Sequence, residues 1–136
     1  MRIRIAELTM LPLAVLMNRD IKKIEPDATL RHASEIMRDW AIGCLLVFEK
    51  DAYVGIISET DLVRRGMAMG LDPNRSKIRE VTTAPILTID INQTAIEANE
   101  LMSAKGTRHL AVTENGKIVG VISVRDLLIF FKNKFI

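Results

Sequence analysis

Hydrophobic and polar positions follow one order of periods along this chain, and the order occurs twice. Short apolar-edged runs from Ile21 to Ile24 and from Ile86 to Ile89 read as extended segments. Each leads through a polar turn to a threonine, Thr29 or Thr94, placed as a helix N-cap ahead of apolar residues at helical spacing. Thr94-Ala95-Ile96-Glu97 fits a capping box, whereas His32 at the matching position of the first half loses the reciprocal bond. Leu30, Ala33, Ile36, Met37, Trp40 and Ala41 form one buried stripe, mirrored by Ala95, Ala98, Leu101 and Met102. Two strand-like runs follow each helix, joined by a tight turn. Glu114-Asn115-Gly116-Lys117 suits a type I′ hairpin, and Glu49-Lys50-Asp51-Ala52 is a weaker version of it. A second helix is expected from about Glu59 to Met69 and from about Val124 to Asn133, so each half reads β-α-β-β-α and the fold class is mixed, α/β (α+β).

The two halves align without a gap at an offset of 65 residues, pairing Thr29 with Thr94, Glu35 with Glu100, Met37 with Met102, Leu45 with Leu110 and Val47 with Val112. The alignment is strongest at the close, where Val54-Gly55-Ile56-Ile57-Ser58-Glu59-Thr60-Asp61-Leu62 returns as Val119-Gly120-Val121-Ile122-Ser123-Val124-Arg125-Asp126-Leu127. A long unit present only twice points to two halves that fold as one module with paired clefts, rather than to an open-ended solenoid. The expected organisation is an N-terminal arm at 1–13, a first motif at 14–70, a linker at 71–77 and a second motif at 78–136. The arm is read as extended, with a helical turn near Leu13 to Leu16.

Composition narrows the function classes. The 136 residues are 49% hydrophobic, enough for one core, while each half alone would be marginal. Net charge is +2 and the basic residues are dispersed, which gives no reason to expect nucleic acid; Arg64-Arg65 reads as solvated helix surface. Cys44 is the single cysteine, so an internal disulfide and a multi-cysteine metal site are both excluded. No apolar stretch reaches the ~20 residues needed to span a bilayer, and a cytoplasmic, membrane-free protein is expected. His32 and His109 lie in different elements, so no metal site is expected either.

The repeated close is where chemistry concentrates. Gly55 and Gly120 permit close approach of another backbone or of a ligand. Ser58 and Ser123 fall at a helix N-cap with Asp61 and Asp126 three residues later, which gathers a hydroxyl, a carboxylate and unpaired backbone N–H groups. Such a cluster either caps its helix or binds a ligand. A nucleoside is one ligand it suits, because a carboxylate accepts bonds from both ribose hydroxyls and a helix N-terminus attracts phosphate. Lys22, Lys23, Arg108, His109 and Arg125 are candidate sources of positive charge near that phosphate.

With repeat, element order and close in hand, the chain resembles a tandem pair of cystathionine-beta-synthase (CBS) domains, a Bateman module, over residues 14 to 134. The resemblance rests on Ile21-Lys22-Lys23-Ile24, Thr29 to Ala33, Cys44 to Val47 and Gly55 to Leu62, then on Ile86 to Ile89, Gly106 to Val112 and Gly120 to Leu127. It implies two motifs packed with pseudo-two-fold symmetry, adenosine derivatives as ligands, and modules that pair through their helices. Carried to this sequence, it implies that Asp61 and Asp126 hold ribose and that Ser58, Thr60, Ser123, Arg125, Arg108 and His109 face phosphate. It also implies base contacts from Ile21, Ile42, Gly43, Ile86, Thr107 and Arg108. Ile42-Gly43-Cys44 in the first half stands against Thr107-Arg108-His109 in the second, so the two sites are expected to be inequivalent.

The function expected from all this is a stand-alone regulatory sensor of AMP, ADP or ATP, with no required cofactor, signalling through homodimer geometry or an unidentified protein effector. Arg108, His109 and Arg125 favour phosphate-bearing ligands over S-adenosylmethionine, and NAD ranks below the mononucleotides. The alternative is a ligand-independent scaffold docking on an enzyme or transporter, with the apolar tail Ile129 to Ile136 as its contact surface. No nucleophile sits beside a base and no Gly-rich phosphate loop occurs, so an enzyme is not expected.

Overall fold

The computed structural model describes residues 10–128 and contains two three-stranded sheets with helices, a mixed α+β fold. The first sheet orders β1 (Lys23–Ile24), β2 (Cys44–Glu49) and β3 (Ala52–Ser58); the second orders β4 (Thr88–Asp90), β5 (His109–Glu114) and β6 (Lys117–Ser123). In each, the first strand runs parallel to the second and the second antiparallel to the third. The crossover between the parallel pair is an 11-residue helix, Leu30–Trp40 or Ala95–Lys105. A helical run starting at Glu59 follows β3, and residues 124–128 are helical after β6; positions 1–9 of the expected arm, the expected continuation of the last helix to Asn133 and the tail Ile129 to Ile136 lie outside the described residues.

Local chemistry accounts for the element ends. The Thr29 hydroxyl accepts from the His32 amide at 3.1 Å, and Thr94 from Glu97 at 3.3 Å, with Glu97 closing the box on the Thr94 amide at 3.2 Å. Residues 72–76 serve the first helix too, because the Ser76 and Pro73 carbonyls accept from the Leu30 and Arg31 amides, which a helix start otherwise leaves unpaired. Both crossover helices stop at a left-handed residue, Gly106 in one (φ 66°) and Ala41 in the other (φ 53°). Both hairpins use two-residue turns with positive φ, Asn115-Gly116 in one and Lys50-Asp51 in the other, so the weaker signal yields the same geometry.

The buried stripe is narrower than expected. Leu30, Ala33 and Met37 are buried and Ile36 packs at the margin, but Ala41 is exposed and Trp40 is 59% exposed. The helix ends at Trp40, and the ring is covered instead by the Lys22 ammonium 3.7 Å from its centroid. The run after β3 is not a plain α-helix: one α-turn (Glu59–Asp61) passes into a π-turn (Leu62–Gly66) and a 3-10 turn (Met67–Met69), ending at the left-handed Gly70. Gly66 is buried there, and a Cβ on it would stand 3.0 Å from Leu30.

By internal contacts the chain divides into two units that cut across the repeat: Lys22–Ile86 is one, and the residues through Ile21 join those from Leu87 onward in the other. The short segment ahead of each repeat therefore completes the sheet of the other. Asn18 exchanges both backbone hydrogen bonds with Val121 (2.8 and 3.0 Å), and Thr83 does the same with Ile56 (2.9 and 2.9 Å). Leu13 and Leu16, on the helical turn Leu13–Leu16, enter the core of Ile89, Ala98, Met102, Leu110 and Ile122; Ile78 and Val81 enter that of Ile24, Ala33, Met37, Leu45 and Ile57.

The approach is close enough to require glycine on the strand. A Cβ at Gly55 would meet the Thr82 side chain and stand 2.9 Å from the Thr83 carbonyl oxygen; one at Gly120 would stand 2.9 Å from the Asn18 oxygen and from the Met17 sulfur. Of the two partners left open for these glycines, the backbone is the one seen. Gly55→Ala and Gly120→Ala are each expected to destabilise by about 1–3 kcal/mol through overpacking, while Ala41→Gly stabilises by about 0.5–1 kcal/mol by relieving the left-handed alanine. Chemical denaturation of the three variants checks the opposed signs.

Candidate functional site

Each repeated close builds the same small cage at a strand-to-helix junction. The Ser58 hydroxyl accepts from the Asp61 amide at 3.2 Å, and Asp61 Oδ2 accepts from both the Ser58 amide and its hydroxyl at 3.0 Å. Ser123 and Asp126 repeat it at 3.2, 2.8 and 2.9 Å. The strand before the cage is braced by its neighbour, since Cys44 pairs with Ser58 and His109 with Ser123. The Gly43 carbonyl accepts from the Glu59 amide, and the Arg108 carbonyl from the Val124 amide, both at 3.0 Å. Of the two readings of the Ser-x-x-Asp pattern, the geometry is that of the cap: each is a capping box whose aspartate engages through Oδ2.

In the first half the second oxygen has partners as well. Thr83 Oγ1 lies 3.3 Å and Arg65 Nη1 3.5 Å from Asp61 Oδ1, and Arg65 Nη1 donates to Thr83 Oγ1 at 3.1 Å. The Asp61 side chain is 13% exposed and that of Arg65 48%. Arg65 is therefore more than solvated helix surface. Its spacing of four from Asp61 is the sequence signal that identifies it, whereas Thr83 lies 22 residues away and reaches the site only because its segment pairs with β3.

The units gather the remaining candidates into two sets. Ile42, Gly43, Ser58, Thr60, Asp61 and Ile86 belong to one, and Ile21, Thr107, Arg108, His109, Ser123, Arg125 and Asp126 to the other. Ile86 thus shares a unit with Asp61, and Ile21 with Asp126. Ile42 packs against its core, and the Thr107 hydroxyl bonds the His109 backbone at 3.3 Å. Thr60, Arg125 and Arg108 are exposed, and His109 is half-buried at the start of β5. Lys22 and Lys23 are engaged elsewhere, with their ammonium groups 3.7 Å from the Trp40 and 4.1 Å from the Phe48 ring centroids.

Hydrogen bonding to Arg79, reinforced by the charge of Lys77, holds the Asp27 carboxyl below its ordinary range, and Arg38 does the same to Asp39. Arg79 bonds Glu49 (2.9 Å) as well as Asp27 (3.1 Å) and so ties the 78–80 turn to its sheet. Among the described residues no cluster of three or more His, Cys, Asp and Glu side chains is placed to hold a metal, and no helix is long and apolar enough to cross a membrane.

The CBS domain family matches the chain twice, over residues 13–68 and 78–133, so the chain belongs to that family. An uncharacterized protein of Methanopyrus kandleri is 33% identical over 112 residues, 81% of this chain, which spans 57% of that relative's length. Among solved structures, a CBS-domain protein of Burkholderia ambifaria named for signal transduction is 29% identical, with a TM-score of 0.79 over 83% of each chain. A hexameric CBS-CP12 protein from bloom-forming cyanobacteria is 26% identical, with a TM-score of 0.81 over 93% of this chain and 74% of its own.

The cage itself is testable. Ser58→Ala and Ser123→Ala each remove the cap acceptor and are expected to destabilise by about 1 kcal/mol. Asp61→Asn and Asp126→Asn keep a side-chain oxygen for the cap and should cost less than the corresponding serine changes. Thermal unfolding of the four variants reads the difference; serine variants as stable as the parent would contradict the cap.

Proposed function

We propose that this chain is a regulatory, non-enzymatic module that binds an adenosine-containing nucleotide, AMP, ADP or ATP, at Asp61 and Asp126. The observation that carries this reading is the pair of cages, each presenting a half-buried carboxylate at a helix N-terminus with one oxygen engaged by the cap. The second oxygen is the acceptor offered to a ribose hydroxyl. The helix start supplies partial positive charge for phosphate, with Ser58 and Thr60 at one site and Ser123 and Arg125 at the other. Arg108 and His109 bring further positive or hydrogen-bonding capacity to the Asp126 site only. Membership of the CBS family and the signalling name of the Burkholderia ambifaria relative support the regulatory reading.

A ligand regulates only through its different affinity for two states, and self-association is the state change we favour. Val63 (61%), Met67 (65%) and Met69 (72%) are exposed on the helical run from Glu59, and Val63 and Met67 line a groove with Leu30, Leu62 and Leu71. Apolar residues in that number at one surface fit a homodimer contact, and a related CBS protein is hexameric. The same surface supports the second reading, a scaffold that docks on a partner without ligand.

A thermal-shift screen with AMP, ADP, ATP, NAD and S-adenosylmethionine separates the two. A ligand favouring the folded state at 100 times its Kd stabilises by about 2.7 kcal/mol, and the shift is expected for the mononucleotides and lost in the Asp61→Asn, Asp126→Asn double variant. A flat response to every compound would leave the scaffold as the better reading.

A further inference from the structure

At the Asp61 cage the outer carboxylate oxygen has side-chain partners of its own. Asp61 Oδ1 faces Thr83 Oγ1 at 3.3 Å and Arg65 Nη1 at 3.5 Å, with the guanidinium also donating to Thr83 at 3.1 Å. At the offset of 65 the positions matching Arg65 and Thr83 are Phe130 and Asn18, so those two residue types are not repeated at the matching positions of the second half. Arg65 makes its bonds among the described residues through Nη1, which leaves Nε and Nη2 as further donors. The Arg65 side chain is about half exposed and Asp61 nearly buried.

We propose that Arg65 is the specificity-determining residue of the Asp61 site and makes it selective for a phosphorylated nucleoside over the unphosphorylated one. The inference rests on the reading of Asp61 as a ribose acceptor. A sugar hydroxyl that reaches Oδ1 takes the place of the contacts now made by Thr83 and Arg65. A neutral nucleoside does this at the expense of the guanidinium, which loses its anion and gains none. A phosphate monoester restores a counter-anion, and the planar fork of an arginine matches two phosphate oxygens at once, as a lysine does not. The cation that meets the carboxylate here thus becomes the phosphate contact when a nucleotide binds.

Calorimetric titration of the full chain carrying Asp126→Asn isolates this site, with adenosine, 5′-AMP and 3′-AMP as probes. The 5′ and 3′ isomers establish where on the sugar the phosphate is read. One of them is expected to bind about ten-fold to a hundred-fold tighter than adenosine, the range of one charge-assisted hydrogen bond. Arg65→Met should bring that ratio close to one while leaving adenosine binding equal or improved, and Arg65→Lys should keep part of the preference. Unfolding curves show that the variants are folded. If Arg65→Met keeps the full preference, Arg65 is not the discriminator although Asp61 still binds ribose. If none of the three compounds binds the chain with Arg65 intact, both this inference and the ribose reading fail.

Discussion

The structure depends on two places where backbone lies directly on backbone, at Gly55 against Thr82-Thr83 and at Gly120 against Met17-Asn18. A side chain at either glycine would displace the segment that precedes the other repeat. With that segment would go a pair of fully or nearly buried residues, Ile78 and Val81 from one core, Leu13 and Leu16 from the other. Burying such a side chain contributes about 1.5–3 kcal/mol, so each core draws a substantial part of its stability from a segment remote in sequence. Neither repeat has a complete core without it.

The same pairing shapes the site. Thr83 reaches Asp61 because the hydrogen bonds between Thr83 and Ile56 hold its segment beside β3. The cage itself is local, spanning four residues, and owes its geometry to the helix start that it caps. One oxygen of each aspartate is thereby fixed by the fold, and on the proposed reading the other is the one a ligand would engage. On the proposed reading, this division lets one short sequence serve stability and recognition together, and asparagine separates the two roles better than alanine.

Much of the fold was legible because it is local. Thr29, Thr94, Ser58 and Ser123 declare helix starts by side-chain chemistry, and Asn115-Gly116 declares its turn by tolerance of positive φ. Ala41 and the Lys50-Asp51 pair were harder to read: they adopt the conformations of Gly106 and Asn115-Gly116 without the residues that favour them, and only the repeat register exposes the equivalence. Trp40 was misplaced because periodicity assigns the last residue of a helix to the same stripe as its middle, whereas the helix stops at Trp40 and the ring meets Lys22 rather than the core. The pairing of residues 12–18 and 77–83 with the other repeat left no sequence signal beyond the two glycines, since a glycine announces that something comes close and not what. Arg65 was visible as an i, i+4 partner of Asp61, but the charge pattern alone did not separate it from Arg64 on the same surface.

The most direct measurement is the stoichiometry of AMP binding to the full chain by titration calorimetry, for the parent and for Asp61→Asn and Asp126→Asn singly. Two nucleotides per chain, falling to one in either single variant, is the result expected if both cages accept ribose. Binding that keeps its stoichiometry and affinity in both variants would contradict the assignment of ligand recognition to these carboxylates.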